Sequence, residues 1–270
     1  MTKFHLHLVS DATGETLIGL TQAVIAQFDA AQPTQHLWAL VRSTEQVDKV
    51  LAEVDANPGI VLFTLVDVQV RDALTRGCRK LQVPCIPVLE PLFAAFSQFL
   101  GQQPRHLPGI QHALDSTYFD RIEAMGFCLA HDDGQSLETL RDADIVLVGV
   151  SRTSKTPTSV YLANRGLKVA NVPLVPGFPE PQELVALDGP AVIGLTTNPD
   201  RLIQLRLNRL SVLNQDGETD YVALDSIREE VARARRVFAR YDWPVIDVTR
   251  RSIEETAAAI LNIYNERQSA

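Results

Sequence analysis

The first hundred residues switch repeatedly between short apolar runs and stretches whose apolar residues recur every three or four positions. FHLHLVS (4–10) predicts a strand, and Glu15 to Phe28 carries the apolar spacing of a helix. HLWALV (36–41) predicts a second strand, and TEQVDKVLAEV (44–54) a helix with Ser43 or Thr44 as its N-cap. GIVLFTLV (59–66) is continuously apolar, the pattern of a strand covered on both faces. Asp67 is placed to cap a following helix, and VPCIPVL (83–89) predicts a further strand. Strands alternating with helices in this way imply βαβ units and a parallel sheet.

GQQPRHLPGI (101–110) interrupts the alternation with two prolines and two glycines, which sets an expected boundary between an N-terminal α/β domain (1–110) and a second domain (111–270). In the second part, STYFDRIEAMGFCLAH (116–131) predicts a helix and DIVLVGV (144–150) a buried strand. A helix follows from about Pro157 to Asn164, with strands at LKVANVPLV (167–175) and AVIGLT (191–196), and a helix from Pro199. The remainder reads as mostly helical, with one short strand at PVIDVT (244–249). The expected fold class is therefore α/β in both domains, with a helical C-terminal part.

Composition narrows the function. With 46% hydrophobic residues among 270, the chain has ample material for a core. A formal charge of −8 argues against a general nucleic-acid binder. No apolar run approaches the length of a membrane span, and the N-terminus lacks the apolar core of a signal peptide, so a cytoplasmic location is expected. Cys78, Cys85 and Cys128 form no C-x-x-C pair and read as buried or free thiols.

The strand at 144–150 runs into GVSRTSKTP. Gly149 followed by Lys155 and Thr156 matches the phosphate-loop pattern G-x-x-x-x-G-K-[ST], except that Ser154 stands where the pattern has glycine. In such a loop the backbone N–H groups of Gly149, Val150, Ser151, Arg152, Thr153 and Ser154 would cradle phosphate. Lys155 would neutralise it, and the Thr156 hydroxyl would ligate Mg2+. The local pattern equally allows an ordinary strand-to-helix turn whose Ser and Thr residues cap the helix. HDDG (131–134) offers Asp132 or Asp133 as a proton acceptor or metal ligand with His131 in support, or an Asp-Asp-Gly turn. SDATGET (10–16) sits after the first strand, where open α/β sheets bind ligands, and is also a normal capped turn. His5 and His7 share a strand face, with no clustered carboxylate or cysteine to make a metal site. Arg233, Arg236 and Arg240 lie near one face of a helix over 227–240, as a solvated face or as a guide for an acidic partner.

SDATGET, YFDRIEA…AHDDG, DADIVLVGVSRTSKTPTSVYLA, KVANVPLV, GLTTNPDRL and IDVTRRSIEETAAAI occur in that order. Together they resemble the pyruvate, phosphate dikinase regulatory protein family, which includes phosphoenolpyruvate synthetase regulatory proteins, over about residues 4–264. The resemblance implies a bifunctional enzyme. In one direction it transfers a phosphoryl group from ADP to a threonine beside the target's catalytic histidine. In the other it removes that phosphate by attack of inorganic phosphate, releasing pyrophosphate. It implies an ADP site at Gly149 to Thr156; for that chemistry the residues themselves offer Thr156 as the magnesium ligand, Lys155 to neutralise phosphate, and Asp132 or Asp133 as the base with His131 in support. Serine before the lysine is the form associated with dikinase as the target; the synthetase-directed branch more often keeps glycine. A homodimer is expected on the same footing. Two rival readings stand beside this one: a P-loop kinase for a small hydroxylated metabolite, and a nucleotide sensor without catalysis.

Overall fold

A computed structural model describes residues 2–109, 116–212 and 223–269. The chain divides into two compact units, Met1–Ala113 and Leu114–Ala270. The boundary expected after residue 110 falls among residues 110–115, outside the described ones.

In the first unit β1 (Thr2–Ser10), β2 (Ala31–Trp38), β3 (Gly59–Thr64) and β4 (Cys85–Pro87) form a sheet of order β2-β1-β3-β4. Every pairing is parallel. The connecting helices are α1 (Glu15–Ile25), α2 (Thr44–Ala56), α3 (Val68–Lys80) and α4 (Glu90–Leu100). The sheet is covered on both faces, as the apolar run of β3 predicts. Val9, Val61 and Phe63 pack with Val47, Val50 and Leu74 of α2 and α3, while Leu6 and Leu8 pack with Leu17 of α1. Ser43 closes a capping box with Gln46, and the Asp67 carboxylate accepts from the N–H groups of Gln69 and Val70.

In this unit β2 and α4 differ from the sequence expectation. β2 begins at Ala31 rather than His36, because its polar half (Gln32, Pro33, Thr34, Gln35) is drawn into register with β1 as an edge strand, where proline is tolerated. It ends at Trp38 because Leu40 takes a left-handed backbone, φ 58°. Helix α4 has no counterpart in the expected elements. Its Leu92, Phe96, Phe99 and Leu100 are exposed, Phe99 by 90%.

The second unit contains α5 (Ser116–Ala130), a 3-10 turn at Asp132–Gly134, β5 (Ile145–Gly149), α6 (Lys155–Ala163) and β6 (Val169–Pro173). There follow α7 (Gln182–Val185), β7 (Ala191–Thr196), α8 (Pro199–Val212), α9 (Leu224–Arg240), β8 (Val245–Asp247) and α10 (Ile253–Gln268). Its sheet is again all parallel, in the order β6-β5-β7-β8, the same arrangement as the first. Val146, Val148 and Val192 face Ile227, Val231 and Phe238 of α9. Ile145, Leu147, Ile193 and Leu195 face Leu162 of α6 and Ile260 of α10. Each such fully buried side chain contributes about 1.5–3 kcal/mol. In this order the chain runs from β5 outward to β6 on one side and from β7 outward to β8 on the other, so the carboxyl ends of β5 and β7 flank the crevice where open α/β sheets place ligands. Among the described residues no helix is long and apolar enough to cross a membrane.

Candidate functional site

All five residues of β5 are buried, and its last residue, Gly149, is glycine for a steric reason. A Cβ there would lie 2.5 Å from the Leu195 carbonyl oxygen on the neighbouring strand and 2.9 Å from Thr153 Oγ1, so only glycine fits. The turn that follows holds Arg152 at φ 70° and Ser154 at φ 60°, both left-handed. Glycine suits such a backbone at position 154; serine adopts it at a cost of roughly 1–2 kcal/mol. Helix α6 then begins at Lys155, two residues earlier than the sequence indicates, so Lys155 and Thr156 lie in its first turn. First-turn N–H groups have no intrahelical acceptor, and the helix dipole favours an anion beside them.

Ser151, Arg152, Ser154, Lys155 and Thr156 line a cavity of about 490 Å3, joined by Asp132 and Asp133 and by Leu205 and Asn208 of α8. Lys155 is buried, and its Nζ donates to the Val150 carbonyl at 3.1 Å, where Thr153 Oγ1 also donates at 2.9 Å. Burial pushes the Lys155 ammonium down from an ordinary 10.5 to about 8. The charges of Asp133 and Asp132 oppose that shift and Arg152 adds to it. A cation held partly desolvated beside a helix N-terminus is prepared for an anion that would restore its charge.

The acidic pair is brought to the loop by β6. Asn171, buried in that strand, donates through Nδ2 to Asp132 Oδ1 and accepts from the Asp133 N–H at 3.0 Å. Thr156 Oγ1 donates to the same Asp132 oxygen at 2.9 Å. Asp133 takes a left-handed backbone (φ 54°, ψ 40°). Among the described residues no hydrogen bond or ion pair engages its carboxylate, which leaves it free toward the cavity. His131 turns elsewhere and does not line the cavity. It is buried and stacks on Phe127 at 3.7 Å; its Nδ1–H donates to the Phe127 carbonyl at 2.8 Å, and Nε2 meets Thr139 Oγ1 at 2.7 Å. Its main-chain carbonyl accepts from the Asn171 N–H at 3.1 Å, which ties the turn to β6. No local motif marks Asn171; its one signal in the sequence is an amide inside the apolar run KVANVPLV.

The arrangement can hold a polyphosphate on the loop amides, Lys155 and Arg152. The Thr156 hydroxyl and Asp132 carboxylate are the hard oxygen donors that Mg2+ takes. Among the described residues no group of three or more His, Cys, Asp or Glu is arranged to hold a metal. A magnesium ion here would therefore share its ligands with phosphate oxygens and water.

The other sequence candidates are placed as follows. Asp11 is buried with Oδ2 accepting from the Val66 N–H at 2.8 Å, and burial raises its carboxyl despite that bond and the nearby Arg42. It lines a cavity of about 340 Å3 within the first unit, with Ser10, Thr64 and Phe93. His5 Nδ1 lies 2.9 Å from His36 Nε2, and His7 stacks on His36 at 4.6 Å. Arg233 of α9 donates to the Val175 and Phe178 carbonyls and pairs with Glu180; Arg236 pairs with Glu229 and Arg240 with Glu180. Cys78, Cys85 and Cys128 are free thiols.

Comparison with known proteins places the chain in a family. The sequence model of the kinase/pyrophosphorylase family matches residues 6–261. A relative from Caulobacter vibrioides is 55% identical over 264 residues, covering 98% of this chain and 84% of its own. One from Sphingopyxis alaskensis is 53% identical over 270 residues, the whole of both chains. A third, from Erythrobacter litoralis, is 53% identical over 269 residues, 100% of this chain and 97% of its own. All three are provisionally named pyruvate, phosphate dikinase regulatory proteins. With that match across nearly its full length, this chain belongs to the kinase/pyrophosphorylase family.

Proposed function

We propose that this protein regulates pyruvate, phosphate dikinase by reversible phosphorylation of a threonine. In the inactivating direction the threonine oxygen attacks the β-phosphorus of ADP, the bond to the bridging oxygen breaks, and AMP leaves. In the reactivating direction an oxygen of inorganic phosphate attacks the phosphothreonine phosphorus, and the threonine leaves with a proton, giving pyrophosphate. The observation that carries the reading is Lys155, buried in the first turn of α6 on a cavity that also receives Asp132 and Asp133.

In this reading the loop from Gly149 to Thr156 holds the phosphates and Lys155 neutralises them, since phosphoryl transfer asks mainly for positioning and charge compensation. The uncommitted carboxylate of Asp133 is the base for the threonine hydroxyl. Asp132, bonded to Thr156 and Asn171, is a positioning group and offers an oxygen to magnesium, which when bound would offset phosphate charge. His131 sets the turn rather than moving a proton. A cytoplasmic location fits the three free thiols. A homodimer belongs to the proposal as well, and the exposed apolar row of α4 supports it.

The test is direct. The purified chain is incubated with dikinase, ADP and magnesium, and phosphothreonine is sought by mass spectrometry. It is expected with wild type and absent with Lys155→Ala and Asp133→Asn. Phosphorylation of a small metabolite from ATP, with no protein product, would replace this reading by a metabolite kinase. Tight nucleotide binding without turnover would replace it by a sensor. Substituting phosphoenolpyruvate synthetase for dikinase tests the target.

A further inference from the structure

The carboxyl ends of β7 and β8 open on a second cavity of the same unit, about 500 Å3 in volume, which shares no lining residue with the loop cavity. Its walls carry Arg235, Arg250 and Arg251 with Asn198, Thr249 and a single carboxylate, Asp247. Arg235 is held in place, its Nε donating to Thr196 Oγ1 at 3.3 Å and its Nη2 lying 3.8 Å from Asp247. Asp247 is further occupied by the N–H of Thr249 at 2.9 Å and by the Thr249 hydroxyl. Although burial opposes it, those bonds and the charges of Arg235 and Arg251 hold its carboxyl below the usual range. Asp247 is thus ionised and satisfied by its own neighbours.

Among the described residues Arg250 and Arg251 make no salt bridge. The two adjacent helix starts are closed by their own side chains. Asn198 accepts from the Asp200 N–H at 2.8 Å, and Ser252 and Glu255 form a capping box on α10. The donors left for a ligand are therefore guanidinium forks. Three arginines against one neutralised aspartate leave a net positive cavity. A guanidinium matches a tetrahedral phosphate by paired N–H contacts better than it matches any neutral group.

We propose that Arg235, Arg250 and Arg251 form a second phosphate-oxyanion site, separate from the β5–α6 loop. Its ligand is a phosphate dianion, supplied either free in solution or on a phosphorylated side chain of a protein partner. The site stands on its own geometry and does not depend on the assignment of the loop as a nucleotide site.

The experiment titrates the full-length chain, by isothermal calorimetry, with inorganic phosphate and separately with a phosphothreonine peptide. Both titrations use a Lys155→Ala background, so that the loop contributes little. Adding Arg250→Gln and Arg251→Gln together is expected to weaken binding of at least one ligand ten-fold or more. Loss with inorganic phosphate identifies a free-anion site, and loss with the peptide alone identifies a partner's phosphate. Unchanged binding of both, or no binding of either before the arginines are altered, overturns the proposal. The charge-conserving pair Arg250→Lys and Arg251→Lys keeps the test valid if the glutamine variant is poorly folded. It retains the charge but loses the forks, so affinity should fall while circular dichroism stays unchanged. Failure of ADP-dependent phosphorylation with intact arginine-dependent phosphate binding would sink the proposed function alone.

Discussion

Among the described residues Arg206 is the largest fully buried side chain, and removing it tests how α8 is held. Its Nη1 and Nη2 donate to the two carboxylate oxygens of Glu230 on α9 at 3.1 and 2.6 Å, with side-chain exposures of 1% and 10%. Arg206→Met would leave the Glu230 carboxylate buried without its partner. Breaking one side of such a pair costs about 3–5 kcal/mol, well above a surface ion pair at about 0–1 kcal/mol. For a unit of this size each kcal/mol moves the midpoint by roughly 2–4 °C, so a fall of about 6–20 °C is expected by calorimetry. The companion variant Arg206→Met/Glu230→Leu removes both charges and should recover most of the loss, because the cost lies in the stranded carboxylate rather than in the absent attraction. A single variant within 1 kcal/mol of wild type, or a double variant less stable than the single, would refute this reasoning. Leu205 and Asn208 of the same helix line the loop cavity, so ligand binding there should weaken along with stability.

Lys155 makes stability depend on alkaline pH. Its proton leaves the native protein near pH 8 and the unfolded chain near 10.5, so the unfolded state binds more protons in that window and stability rises with pH across it. Urea denaturation of wild type against Lys155→Met should show that rise only in wild type, and phosphate binding at pH 8 should take up protons, detected as a buffer-dependent heat. Gly149→Ala forces a methyl onto the Leu195 carbonyl at 2.5 Å; a loss of about 1–3 kcal/mol is expected, with the loop displaced and phosphoryl transfer abolished. A fully active alanine variant would show that the loop does not need this close approach.

Much of the fold was legible because its signals are local. Continuous apolar runs marked β3, β5 and β7, and Ser43 and Asp67 announced their helices through short-range caps. The polar half of β2 carried no such signal, since its strand conformation comes from pairing with β1 twenty-nine residues earlier. The loop from Gly149 to Thr156 was visible as a motif, and the left-handed backbone at Ser154 gives the physical meaning of the departure from glycine there. What surrounds the loop was not visible in the same way. Asp132 reaches Thr156 across 24 residues and Asn171 across 39, so no local pattern links them. His131 stands next to both aspartates in sequence, yet its ring is committed to Phe127 and Thr139, because one residue of backbone is enough to point neighbours in different directions.

The strand order of the two sheets also bears on how the chain is made. In each unit the first strand to leave the ribosome, β1 or β5, becomes an inner strand; the next joins one side, the third the other, and the fourth the outside of the third. No strand has to be inserted between two that are already paired, so each sheet grows only at a free edge. Emergence at about 5–20 residues per second leaves time for each βα segment to settle before the next arrives. The last strand of the first sheet ends at Pro87 and the first strand of the second begins at Ile145, so all four strands of the first unit are synthesised before the second nucleus starts.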